Sequence, residues 1–339
     1  MAIFDFVNAP SQQLRLPKLY DRDASFSHAK KKGSPHVELT KRDIKLFIIL
    51  WLYRILDFET LKFLLHFTGS NYTLWHRLRK LFQLGFIDRP KEAIVFGRIG
   101  GPRVLIALGR KGYEVVAPIL DLPTDNHQAK QMTQKNNEIK FFYIAHALGL
   151  NRFHATLELA CENHEHVNLA HWTQQNLKVR ITPPSSQISP FRIPEKTIAL
   201  IPDAFFTLQF PNEPSPNKTH YYVEFDNGST PLSRWKLKKG LGYAEYDRQK
   251  LQSKFQGFKT FQVLIIAPTL KRKHNMRKEV AEWLQTAKRR GTTYSPELWL
   301  FTDKTQYSLS NPQTLLEAPI WQTATDDTPY SLLVLRQAQ

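Results

Sequence analysis

The segment YYVEFDNGST, residues 221–230, restricts what this chain can fold into more than any other stretch. It reads as a β-strand rich in aromatic residues. Val223 and Phe225 then belong to one layer, while Glu224 and Asp226, two positions apart, point together to the other side. An Asn-Gly pair follows at once and turns the chain. A buried-looking strand that ends by delivering two carboxylates to one face calls for a sheet with chemistry at its end.

The surrounding pattern supplies that sheet. A helix over about 138–162 precedes strands around 167–181, 197–210 and 219–226. A helix at about 232–254, the apolar strand FQVLIIAP (261–268), a helix at about 275–290 and the strand ELWLFTD (297–303) follow. The expected fold class is therefore α/β, with an α-β-β-β-α-β domain and a mixed sheet over 138–305. Residues 306–339 read as a peripheral segment. A Pro/Ser-rich excursion, TPPSSQISPFRIPEK, lies between two of the strands.

Upstream, three short helices and a hairpin describe a winged helix over 37–120. Thr40 is positioned as N-cap of the first helix with Asp43 at its third position, Asp57 opens the second, and Ser70 opens the third, which ends at Gly85. IVFGRIGGPRVLIAL reads as a hairpin turning near Gly100-Gly101. The third helix carries Asn71, Tyr72, Thr73, His76, Arg77, Arg79 and Lys80, side chains suited to base edges and phosphates. Arg98 and Arg103 flank the expected wing tip. Residues 1–36 form a basic lead-in and the polar stretch 121–137 reads as a linker.

Charge points to the same class of partner. Lys and Arg number 47 against 30 Asp and Glu, a net charge of +17. Such an excess favours a polyanion, and double-stranded DNA is the expected partner. Cys161 is the single cysteine, which excludes a disulfide framework and a cysteine-based zinc site. MAIFDFVNAPSQQ lacks the features of a secretory signal, and LFIILWLYRIL (46–56) is too short to span a bilayer. A cytoplasmic protein without membrane contact is expected. His164, His166 and His171 have neither the spacing nor the partners of a structural zinc motif.

The chemistry concentrates on three acids. Pro202-Asp203 begins one strand and Glu224 with Asp226 ends the next, so hairpin pairing would bring the three carboxylates to one sheet edge. Crowded acids repel unless a hard divalent cation joins them, and oxygen ligands suit Mg²⁺ or Mn²⁺. A lysine beside such a site would stabilise charge at phosphorus. The helix after the turn offers Lys236, Lys238 and Lys239, and Lys236, Lys239 and Tyr243 share one helical face. Residues 231–290 hold 16 Lys and Arg against 4 Asp and Glu, with Lys238 a further DNA-contact candidate. Glu158 or Glu162, on the preceding helix, is placed to assist a metal or to be ordinary surface charge.

Pro202-Asp203 and Glu224 resemble the PD-(D/E)XK nuclease superfamily, with Asp226 standing where that pattern has lysine. That resemblance implies a metal held by Asp203, Glu224 and Asp226, with Lys239 or Lys236 in the lysine role. HALGLNRFHATLELA (146–160), PDAFF and YVEFDNGSTPLSRWKLKKGLGY together resemble the replication-relaxation family of plasmids and integrative elements. Glu224, Asp226, Gly228, Ser229, Lys239 and Tyr243 match its motif over a resemblance spanning about 38–303. It implies DNA binding in mobile-element replication or relaxation, either as a metal-dependent nickase or endonuclease or as a non-catalytic accessory or regulatory protein. A homodimer and other mobile-element replication or transfer proteins are further partners open to such a chain.

Overall fold

The computed structural model describes residues 37–90, 104–174, 177–183, 197–215 and 217–335. The lead-in, the expected wing tip with Arg98 and Arg103, and most of the Pro/Ser-rich excursion lie outside them. Contacts between Cα atoms divide the chain into two compact units after Asn151. Among the described residues, no helix is long and apolar enough to cross a membrane.

The first unit begins with helix α1 (Lys41–Tyr53), strand β1 (Ile55–Asp57) and helices α2 (Phe58–Leu64) and α3 (Asn71–Gln83). Strands β2 (Ile87–Asp88) and β3 (Leu105–Leu108) and helix α4 (Arg110–Val116) follow. Each of the first three helices starts where a short polar side chain can satisfy an orphan backbone N–H. Thr40 and Asp43 form a reciprocal capping box, the Thr60 N–H donates to Asp57 at 2.8 Å, and the Thr73 N–H donates to Ser70 at 3.2 Å. The strands form an antiparallel sheet in the order β1-β3-β2. Gly112 is required in α4, because a Cβ there would meet the Phe86 carbonyl oxygen at 2.2 Å.

The polar stretch that reads as a linker contains helix α5 (Asn126–Asn137). Helix α6 (Phe141–Glu162) runs across the division between units. Ile144 and Leu148, from its first half, join Ile55 and Leu105 in one apolar cluster. The Asn151 amide donates to the carbonyls of Tyr53 and Ile55 at 2.8 and 2.7 Å. The first half of α6 is therefore part of the first unit's core, beyond the boundary that polarity alone suggests.

The second unit is built on a mixed five-stranded sheet. Its strands are β4 (Asn168–Gln174), β7 (Ala204–Gln209), β8 (Lys218–Phe225), β9 (Gln262–Ala267) and β10 (Trp299–Asp303), in the order β10-β9-β8-β7-β4. β8, β9 and β10 are parallel, while β7 is antiparallel to β8 and to β4. The strands expected over 167–181 and 197–210 are each divided. Their inner parts, β5 (Val179–Ile181) and β6 (Ile198–Leu200), pair with each other in a separate two-stranded ribbon.

After β8 come helix α7 (Leu232–Trp235), a π-helical turn (Lys236–Gly240), and helices α8 (Leu241–Arg248) and α9 (Leu251–Gln256). Helix α10 (Leu270–Arg289) separates β9 from β10. One sheet face packs Tyr222, Val263, Ile265, Trp299 and Phe301 against Tyr243, Tyr246, Met276, Val280 and Trp283 of the helices. On the opposite face Phe206 stacks on Tyr221 at 4.9 Å and meets Phe153 of α6 at 6.2 Å. A sheet covered on both faces reads as continuous apolar strands, which accounts for QVLIIA in β9.

Candidate functional site

Strand β8 runs through the middle of this sheet, and its register decides where the acids go. Tyr222 pairs with Val263 and Glu224 with Ile265, so both lie on the face covered by α8 and α10. Val223 lies between them on the other face, as alternation requires. Glu224 is only 3% exposed and Asp226 8%. These acids are buried under a helical layer rather than displayed at a solvated strand end.

Glu224 meets two side chains from the π turn and α8. Lys239 Nζ lies 2.8 Å from its Oε1 and 2.7 Å from its Oε2. The Tyr243 hydroxyl donates to Oε1 at 2.6 Å. Lys239 also donates to the Ile201 carbonyl oxygen at 2.5 Å, which ties the lysine to the segment leading into Asp203. Asp203 is held across the strand pair, where its Oδ2 accepts the Phe225 N–H at 2.8 Å.

The electrostatics follow from burial. Removal from water is the largest influence on Glu224 and pushes its carboxyl up to about 7; Lys239 pulls it down and the Asp203 charge adds to the rise. For Lys239, burial works against the charged form, but Glu224 and Asp203 outweigh it and hold its pKa above the ordinary lysine value. Burial, reinforced by the Glu224 charge, raises Tyr243 far above the ordinary phenol value. Near neutrality the cluster thus combines a charged lysine, a protonated tyrosine donor and a glutamate poised between its two protonation states.

An ideal α-helix would keep Lys236, Lys239 and Tyr243 on one face. The structure separates Lys236 from the other two. It donates to Glu279 of α10 at 2.7 Å. The cause is the π turn: the Leu241 N–H bonds back to the Lys236 carbonyl, five residues away, so the face rotates between 236 and 239. Lys238 is exposed.

The expected convergence of three carboxylates also changes. Asp226 follows Glu224 on the strand face but is engaged by Arg272 of α10. Arg272 Nε donates to its Oδ2 at 2.8 Å and Nη2 donates to the Thr230 carbonyl at 2.6 Å. Thr269 caps α10 and starts the helix where this arginine comes within reach. The turn itself needs Gly228, at φ 76°. Arg272 thus neutralises the acid for which a shared cation was expected. Among the described residues no group of three or more His, Cys, Asp or Glu side chains is placed to hold one metal ion. Glu158 lies 3.8 Å from His154, and Asn212 is 3.1 Å from His166.

On α3, Leu74, Leu78 and Leu81 are buried, while Asn71, Tyr72, Thr73, His76 and Arg79 are exposed and Lys80 is half-buried. The Tyr72 ring meets the His76 ring at a tilt, with 4.3 Å between centroids. Arg77 instead turns inward, where its Nε donates to Asp43 at 2.9 Å and its Nη2 to the Glu38 carbonyl at 2.7 Å. The helical pattern groups it with the outward side chains, because its partner lies 34 residues away.

A family model described as replication-relaxation matches residues 56–261, more than half of the chain. No curated protein and no solved structure matches.

Proposed function

The chain belongs to the replication-relaxation family, and from that premise we propose that it is a DNA-acting protein of a mobile element that nicks or cleaves duplex DNA with Mg²⁺ or Mn²⁺. The observation that carries this reading is the approach of Lys239 to both oxygens of Glu224, beside Asp203. It corresponds to the acid–acid–lysine set of a PD-(D/E)XK site, with the lysine supplied from the helix and Asp226 neutralised by Arg272.

Two carboxylates are enough for Mg²⁺, which usually keeps several waters and completes its shell with substrate phosphate. Asp203 and Glu224 would hold the ion, and it would polarise the scissile phosphodiester and the attacking water. The chain's own groups do the rest. Lys239 offsets negative charge at the site and stabilises what develops at phosphorus. Tyr243 fixes the orientation of Glu224 through its hydroxyl. Lys238 and the exposed basic residues of the helical layer contact the DNA backbone. The first unit acts as a winged helix, with Asn71, Tyr72, Thr73, His76, Arg79 and Lys80 of α3 facing the duplex.

A second reading has its own support. Glu224 is already satisfied by Lys239 and Tyr243, which suits a non-catalytic accessory protein whose nuclease-like core is structural. Supercoiled plasmid incubated with and without Mg²⁺ or Mn²⁺ separates the two. The catalytic reading expects metal-dependent nicking that Asp203→Ala and Glu224→Ala abolish. Nicking that survives both substitutions removes this site from the chemistry, and no nicking under any condition favours the accessory role.

A further inference from the structure

Away from the carboxylate cluster, a cavity of about 360 Å³ opens on the sheet, lined by His171, Thr173, Phe205, Thr207, His220 and Phe258, with Leu177 and Gln256 completing it. Three rings on this wall are nearly parallel. His220 stacks on Phe258 at 4.2 Å and 16°, Phe205 on Phe258 at 5.6 Å and 9°, and Phe205 on His220 at 6.1 Å and 10°. Such a set is built by register: Thr173 pairs with Phe205, and Thr207 pairs with both His171 and His220, so all five occupy one sheet face. Phe258 arrives from the segment after α9.

The polar groups are equally ordered. Thr207 Oγ1 and His220 Nδ1 are 3.0 Å apart, which fixes the ring. Burial, followed by the charge of Lys218, depresses the His220 pKa to about 4, so the imidazole stays neutral. Gln256 is anchored through its Oε1 by the Tyr222 hydroxyl at 2.6 Å. Flat π-faces combined with fixed hydrogen-bonding side chains suit a planar heterocycle, and the volume is at the small end for ligand sites. The flanks are basic: Lys178 adjoins Leu177, Lys259 adjoins Phe258, and Lys218 lies two residues before His220 on the same strand face, all three exposed. A heterocycle attached to a chain of phosphates fits that arrangement.

From this geometry we infer that the cavity is a docking site for an unpaired nucleobase of single-stranded DNA, stacked against the Phe258–His220–Phe205 rings with its phosphates along Lys178, Lys218 and Lys259. The inference rests on the reading of DNA as partner, and it adds a strand-reading function outside the Asp203–Glu224–Lys239 cluster. An opened strand at a nick or origin supplies such a base. Stacking on an aromatic contributes about 1–3 kcal/mol per base, or roughly 5- to 150-fold in affinity.

The test measures binding of fluorescein-labelled oligo(dT), and of a labelled duplex, to the full chain in EDTA, so that cleavage plays no part. Phe258→Leu keeps the apolar packing and removes the ring; it is expected to weaken oligo(dT) binding about tenfold with duplex binding unchanged. Phe258→Tyr is expected to restore it. A 2-aminopurine oligonucleotide should lose fluorescence on binding wild type through stacking, and far less on binding Phe258→Leu. Equal oligo(dT) affinity for wild type, Phe258→Leu and His220→Leu overturns the inference, as does a wild-type protein that binds duplex but no single strand. A protein that binds neither form overturns the DNA reading together with it. Loss of nicking in Asp203→Ala with oligo(dT) binding intact separates the two sites and is the expected result.

Discussion

Asp43 in the first unit and Glu224 in the second are both buried acids, 2% and 3% exposed, and both are paired with a cation from another element. Their electrostatics nevertheless run in opposite directions. Burial is the largest influence on Asp43 and raises it, but hydrogen bonds from Arg77 and from Thr40 prevail and hold its carboxyl below the ordinary aspartate value. For Glu224 burial prevails over Lys239 and Tyr243, and the neighbouring Asp203 adds to the rise. Asp43 is a helix-capping ion pair whose charge the fold favours. Glu224 is an acid that the fold holds near its titration point, which is the property expected of a working group.

The contrast is sharpest in its pH dependence. Glu224 has a folded pKa above its ordinary 4.5, so its contribution to stability is fully present below 4.5 and is lost as pH rises through about 7. Asp43 has a lowered pKa, so its contribution is present above 3.8 and is lost as pH falls through the lower value. Replacing Glu224 by Gln should therefore flatten the decline in Tm between pH 4.5 and 7, a change of up to about 3 kcal/mol. An unchanged slope would break the comparison.

Next in size is Arg77→Ala. It leaves Asp43 buried without its guanidinium, and because Arg77 is 29% exposed the expected loss is about 2 kcal/mol rather than the full value for a buried pair. Faster amide exchange in α1 and α3 measures it. Tyr243→Phe removes one donor to Glu224, at about 1 kcal/mol, and should move the Glu224 titration to higher pH, since that hydrogen bond lowers its pKa. Smallest is Lys236→Ala. Its partly exposed pair with Glu279 should contribute under about 0.5 kcal/mol, and nicking should stay near wild type.

What is legible in the sequence is what local chemistry decides. Thr40, Asp57 and Ser70 cap their helices as their side chains require. The Asn-Gly turn after β8 and the placement of Glu224 opposite Val223 follow from period and turn chemistry alone. The four-residue spacing of Lys239 and Tyr243 is readable as one helical face, and both side chains reach Glu224. The parts that stay hidden depend on distant partners. Arg272 lies 46 residues from Asp226 and Arg77 lies 34 from Asp43, and nothing in the intervening sequence marks either pair. The π turn that redirects Lys236 has no sequence signature. Helix α5 reads as linker because NHQAKQMTQKNN has no apolar period to reveal it. The Phe205–His220–Phe258 wall joins two strands and a loop, and only the paired register exposes it.

In the proposed site Lys239, rather than the residue at 226, takes the lysine role beside Asp203 and Glu224. Single-turnover nicking of supercoiled plasmid by Lys239→Ala, in saturating Mg²⁺ and with Asp226→Asn alongside, is the decisive experiment. A loss of about 100-fold or more is expected for Lys239→Ala, on the scale of removing one charge-stabilising group, with a far smaller loss for Asp226→Asn. Nicking by Lys239→Ala at the wild-type rate would remove the lysine from the chemistry.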